Sequence, residues 1–203
     1  LDQSGGSTPK ALRLYGVTED MYDGEDAMFA EIHAMRARIV KAPDFTRDKV
    51  IGAILFERTM RGEIDGKPSA RLLWEDRGIV PFLKIDKGLE AQAEGVQLMK
   101  PIPGLEDTLA EAKGHGIFGT KERSVIQEAN EAGIKAVVAQ QFEVAKAVTG
   151  AGLVPIIEPE VDIHSATKAE AETILRTEIL THLNTLPDTE TVMLKLTIPT
   201  EDN

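Results

Sequence analysis

The sequence has no cysteine, which excludes disulfides and thiolate metal sites. It has too few basic residues to balance its acids, 23 Lys and Arg against 34 Asp and Glu, for a net charge of -11. That deficit argues against a nucleic-acid partner or an anionic membrane surface, although local lysines can still build a phosphate site. No apolar stretch is long enough to cross a bilayer and no signal-peptide pattern is present, so the default location is cytoplasmic. The four histidines, His33, His115, His164 and His182, are scattered without ligand-like grouping, so no metal is expected. Repeats, low-complexity tracts and interdomain linkers are also missing, and the 42% hydrophobic content suits one soluble domain over 1–203. An initiator methionine is absent as well. The chain opens at Leu1-Asp2 and is expected to be a piece of something longer.

What is present is an alternation. Short apolar runs at 50–56, 78–85, 116–120, 153–157 and 191–196 predict strands, and Leu1-Asp2 looks like the remnant of another. Between them lie segments of helical period. Met28, Ile32, Met35 and Ile39 mark one face of a helix over 27–40, and 134–148 and 166–183 read the same way. Apolar strands separated by helices predict a parallel sheet covered on its helical side. Gly78, Gly116 and Gly152 each precede a strand, where a glycine ending the preceding helix is expected.

Within Val192-Met193-Leu194-Lys195-Leu196 a lysine sits inside an apolar run. An ammonium loses hydration when buried, so such a lysine tends toward the neutral amine, a nucleophile for carbonyl carbon. Lys195 is therefore the candidate Schiff-base residue, although a snorkelling strand lysine has the same pattern. Asp2, Glu57, Lys84 with Asp86, Lys121, and Glu158 with Glu160 also fall at or just past predicted strand ends. In a (β/α) barrel those ends form the active face. Residues two apart project together, so Lys84 pairs with Asp86 and Glu158 with Glu160, and Pro159 is expected to end the sheet between the glutamates. At the start, Asp2-Gln3-Ser4-Gly5-Gly6-Ser7-Thr8-Pro9-Lys10 combines glycines, hydroxyls and a proline able to open a helix. It suits a phosphate cradle or an ordinary turn and helix cap. It is not a Walker motif.

The segments LDQSGGSTPK, GAILFERTM, VPFLKIDKG, GVQLMKPIPGL, FGTKERS, GLVPIIEPE and VMLKLTIPT, in that order, closely resemble the bacterial form of class I fructose-bisphosphate aldolase. The resemblance implies a (β/α)8 TIM barrel, an α/β fold. It also implies a glycolytic and gluconeogenic lyase that reversibly cleaves fructose 1,6-bisphosphate into dihydroxyacetone phosphate and glyceraldehyde 3-phosphate. By motif Lys195 matches the Schiff-base lysine, Glu158 the principal acid/base, Lys121 the second active-site lysine and Asp2 the first-strand aspartate. Ser4, Ser7, Lys10, Lys84 and Arg123 match positions that bind phosphate or substrate, and Glu160 joins them as the companion of Glu158. The reaction needs no cofactor. A phosphorylated sugar is the implied partner, and homo-oligomerisation of the full-length enzyme is left open.

The chemistry suits these roles. After Lys195 attacks the ketose carbonyl, loss of water needs a proton donor, and burial would favour the protonated form of Glu158. Asp2 or Glu158 would accept the proton of the hydroxyl beyond the scissile bond. Lys121 would oppose a charge on Lys195 while holding a carboxylate or hydroxyl. Only about six of the eight strand-helix units are expected, and the family's later glycine-rich segment with its serine and its later arginine are absent. The reading is thus a fragment with exposed strand edges and little turnover of its own. Two other readings stand beside it: a transaldolase-like or deoxyribose-phosphate aldolase-like Schiff-base enzyme, and a non-catalytic barrel remnant used for binding.

Overall fold

The computed structural model describes residues 8–200. Asp2, Ser4 and Ser7 lie outside the described residues. The chain forms two compact units: one up to Lys84 together with Gly114–Ile117, the other from Ile85–Lys113 and Phe118 onward.

The first unit opens with helix α1 (Thr8–Leu14), which carries Pro9 in its first turn, as the sequence predicts. Helix α2 (Gly24–Lys41) buries Ile32 and Met35 against Ala11 and Leu12 of α1, with Met28 packed beside them. Ile39, expected on that face, is exposed, and Val40 and Arg36 are buried instead. Arg36 is tolerated there because Nη1 donates to Thr59 Oγ1 at 2.6 Å and the guanidinium lies 5.7 Å from the Phe56 ring centre. Strand β1 (Gly52–Leu55) leads into α3 (Glu57–Arg61). A two-residue hairpin follows, β2 (Glu63–Ile64) and β3 (Lys67–Pro68), closed by Asp65 and Gly66 at φ 53° and 77°. Asp-Gly suits a turn that needs positive φ at both central residues. A short α4 (Ser69–Arg71) continues as a π-helical turn (Leu72–Asp76) into β4 (Val80–Lys84), which runs parallel to β1.

The second unit contains β5 (Val96–Gln97), α5 (Leu105–Gly114), β6 (Gly119–Ile126), α6 (Glu131–Gly150), β7 (Val154–Val161), α7 (Lys168–Leu183) and β8 (Met193–Leu194). Strands β6, β7 and β8 are successive parallel neighbours, and β5 pairs antiparallel to the end of β6. This is the mostly parallel, helix-covered sheet of a partial (β/α) barrel. Ile126, Ile157 and Val161 face a core shared with Ile134, Val137, Val138 and Phe142 of α6 and Leu175 and Ile179 of α7. The opposite face carries Lys121, Arg123, Glu158 and Glu160 together with Val125 and Ile156.

Two strands depart from their predicted limits. β6 starts three residues after its predicted start and continues through Lys121-Glu122-Arg123-Ser124, where the loss of apolar character suggested an end. β7 continues through Pro159 to Val161. The Ile157 carbonyl accepts from the Lys195 N–H, so alternate residues 155, 157, 159 and 161 turn their backbone groups toward β8. β8 pairs only with Ile156 and Ile157. Pro155 and Pro159 therefore omit donors just before and just after that short ladder, at no cost in hydrogen bonds.

Helix α6 is capped by Asn130, whose side chain accepts from the Gly133 N–H at 3.0 Å. A Cβ on Gly133 would stand 2.2 Å from the Glu94 carbonyl oxygen and 3.0 Å from Val96 Cγ1. Gly133→Ala is expected to destabilise the chain by about 1–3 kcal/mol, the usual range for overpacking. An unchanged denaturant midpoint would show that the Glu94 loop gives way freely.

Candidate active site

The polar face of the second unit is assembled by register. Arg123 pairs with Glu158 and Val125 with Glu160 across β6 and β7, so Lys121, Arg123, Glu158 and Glu160 share one face. Lys121 Nζ lies 2.7 Å from Glu158 Oε2, and the two side chains are only 2% and 3% exposed. The contact is a buried ion pair. On the other carboxylate oxygen, Oε1 accepts from Lys195 Nζ in a short contact. One buried carboxylate thus holds two lysines, each on its own oxygen.

Lys195 differs from the sequence expectation. It lies just past β8, and its side chain is 51% exposed rather than enclosed. Met193, Leu194 and Leu196 are exposed too, because β8 has a strand partner on one side only among the described residues. An apolar neighbourhood in sequence did not become burial in space. Backbone bonds fix the lysine's position instead. Its N–H donates to the Ile157 carbonyl at 2.9 Å, and two residues on, Thr197 Oγ1 donates to the Val161 carbonyl at 2.8 Å and accepts from the Val161 N–H at 3.0 Å.

Lys121 and Glu158 also sit inside their strands rather than at or past strand ends. Each charge is neutralised by the other within the sheet, which is why apolar content ceased to mark the strand there. Arg123 Nη1 lies 3.4 Å from Glu160 Oε2, and the Arg123 N–H donates to Asp86 Oδ2 at 3.2 Å. Glu158, Glu160, Lys195, Thr197 and Asp162 line an open cleft of about 370 Å³, a volume suited to a small metabolite. In the first unit, Lys84 closes β4 with Nζ 5.6 Å from the Phe56 ring centre, and Lys10 is exposed on α1. Among the described residues, no group of three or more His, Asp or Glu is arranged to hold a metal ion, and no helix is long and apolar enough to cross a membrane.

Sequence reasoning missed the residues behind this face. Gln141 of α6 is fully buried, with Nε2 2.9 Å from Ser124 Oγ. Glu122 is fully buried as well, and desolvation pushes its carboxyl up to about 8, with the Thr120 hydroxyl partly opposing the shift. The available signal was the alternation Thr120, Glu122, Ser124, which shows only once β6 is known to continue.

Residues 26–199 match the family model described as fructose-bisphosphate aldolase class-I. The whole chain aligns with fructose-bisphosphate aldolase class 1 of Synechocystis sp. at 58% identity, covering 68% of that protein. It aligns with the enzyme of the same name from Porphyromonas gingivalis at 59% identity, covering 69%. A solved fructose-bisphosphate aldolase from Plasmodium falciparum, in complex with TRAP and a small-molecule inhibitor, superposes with a TM-score of 0.67 at 22% identity. That match covers 96% of this chain and 57% of the solved one, and it supports the fold.

Proposed function

Because the chain belongs to the class-I fructose-bisphosphate aldolase family, we propose that Lys195, Glu158 and Lys121 are its Schiff-base machinery for cleaving fructose 1,6-bisphosphate into dihydroxyacetone phosphate and glyceraldehyde 3-phosphate. The observation that carries this reading is the sharing of one buried carboxylate by two lysines beside an open cleft.

Glu158 is within reach of both lysines and can take a proton from one of them, which converts that lysine to a neutral amine while the net charge of the group stays the same. Lys121 is enclosed and pinned in place, whereas Lys195 is half exposed and faces the cleft. Lys195 is therefore the amine that gives up its proton, to Glu158 Oε1, and attacks the ketose carbonyl carbon. Glu158 then returns a proton to the carbinolamine hydroxyl, which leaves as water and produces the iminium. Cleavage of the carbon–carbon bond moves its electron pair into the iminium to form an enamine, while the proton of the hydroxyl beyond that bond goes to Glu158 or Asp2. Protonation of the enamine carbon and hydrolysis release dihydroxyacetone phosphate and restore Lys195. Lys121 keeps its charge throughout and holds the carboxylate in place.

Arg123, with Glu160, is assigned to substrate hydroxyl or phosphate contact at the edge of the cleft. Ser4, Ser7, Lys10 and Lys84 are assigned to phosphate and substrate contact by their motifs. The transaldolase-like, deoxyribose-phosphate aldolase-like and non-catalytic readings are not favoured by the family match. The test is borohydride added with dihydroxyacetone phosphate. In the full-length enzyme, irreversible loss of bisphosphate cleavage only when both are present, with no effect of EDTA, is expected. Activity lost to EDTA and restored by zinc would overturn the assignment.

A further inference from the structure

The reverse face of β6 carries polar groups that the reaction does not use. Thr120, Glu122 and Ser124 alternate with Lys121 and Arg123 and so project the opposite way, toward α6. Glu122 is fully buried. Its Oε2 accepts from the Thr120 hydroxyl at 3.2 Å, and its Oε1 has no hydrogen-bond partner among the described residues. Gln141 reaches this layer from α6. Besides Ser124 Oγ, its Nε2 lies 3.4 Å from the Glu122 carbonyl oxygen and 3.5 Å from the carbonyl oxygen of Glu158. One amide thus spans two neighbouring strands, and on β7 it meets the residue whose carboxylate holds both lysines.

The groups around Glu122 do not suit an anion. Its own strand offers the Thr120 hydroxyl and Lys121, which is already paired with Glu158. Asp86 approaches from the segment before α5, and Glu158 from β7; both are acidic. α6 contributes the neutral Gln141, whose Oε1 is a buried acceptor without a partner among the described residues. With its proton, Glu122 adds a donor to a layer rich in acceptors. Without it, Glu122 adds a third acidic charge beside Asp86 and Glu158.

Resting on the reading of Lys121 and Glu158 as active-site groups, we propose that Gln141 and Glu122 are positioning residues: the Gln141 amide ties the backs of β6 and β7 to α6, the Glu122 carboxyl packs behind β6 against the Thr120 hydroxyl, and together they set the spacing at which Lys121 meets Glu158. Thr120 to Ser124 is then two interleaved sets, with residues 121 and 123 facing substrate and residues 120, 122 and 124 holding the strand. Burial keeps Glu122 neutral up to about pH 8. Its ionisation above that pH loosens the spacing on the reactive face.

The test combines nuclear magnetic resonance with borohydride trapping on the full chain, comparing wild type with Glu122→Gln from pH 6.5 to 9. The backbone amide resonances of Lys121, Arg123 and Glu158 are expected to shift with a common midpoint near 8 in the wild type and to lack that transition in Glu122→Gln. The ratio of trapping rates at Lys195, variant over wild type, is expected to stay within about twofold at pH 6.5 and to climb to about tenfold at pH 9. Taking the ratio removes titrations that both proteins share. Wild-type resonances without the transition, or a ratio flat with pH, would overturn the proposal. The resonance transition together with an unmodified Lys195 would overturn the Schiff-base assignment and leave the strand coupling standing.

Discussion

In the full-length enzyme, replacing Glu158 by glutamine is expected to lower kcat by about 10²–10⁴-fold, the range for losing a positioned general acid or base, with a much smaller change in KM. The carboxylate accepts from Lys195 on one oxygen and sits 2.7 Å from Lys121 on the other, so the substitution removes both ion pairs at once. The consequences are unequal. Lys195 is half exposed and recovers hydration, whereas Lys121 is enclosed and left as a buried cation without its carboxylate. Breaking such a pair by removing one partner costs about 3–5 kcal/mol. The variant should therefore lose stability as well as turnover. Adding Lys121→Met should recover part of the stability and none of the turnover, since the proton carrier is still missing. Denaturant unfolding and steady-state kinetics on the single and double variants separate the two effects. A double variant that regained turnover would show that Glu158 acts only by anchoring Lys121.

Glu122→Gln is expected to act in the opposite sense on stability, by an amount that grows with pH. The Glu122 carboxyl is pushed by burial from its ordinary 4.5 to about 8 in the folded chain. The folded state therefore holds a proton that the unfolded state has lost throughout that interval. Its stabilising effect is fully present below about pH 4.5 and falls by about 1.4 kcal/mol per pH unit. Above about pH 8 no further loss occurs, because both states are then ionised. Glutamine keeps the shape and has no such slope. The stability difference between variant and wild type should widen by about 4 kcal/mol between pH 5 and pH 8, or roughly 10 °C in unfolding midpoint for a chain of this size. Parallel stability curves over that range would mean that Glu122 is not held neutral by burial.

Much of this was legible in sequence where one physical signal dominated. The faces of α6 and α7, the positive-φ glycines at 78, 116 and 152, and the pairing of Glu158 with Glu160 follow from periodicity and glycine's conformational freedom. The signal failed where charges pair inside the sheet. Lys121, Glu122 and Arg123 read as a strand end, because hydropathy cannot register that Glu158, Thr120 and Asp86 meet them in space. Lys195 failed the other way: its neighbours are apolar, yet they lie on a strand paired on one side only among the described residues, and so they are exposed. Arg36 shows the same limit in a helix, since the hydroxyl and ring that accommodate it come from residues 59 and 56.

The central claim is that Lys195, and not its buried neighbour Lys121, carries the covalent intermediate. Peptide mass mapping after incubation with dihydroxyacetone phosphate and borohydride addresses it directly. The account predicts a reduced adduct on the peptide containing Lys195, with Lys121 unmodified and the adduct gone in Lys195→Arg. An adduct on Lys121, or none on either lysine, would contradict it.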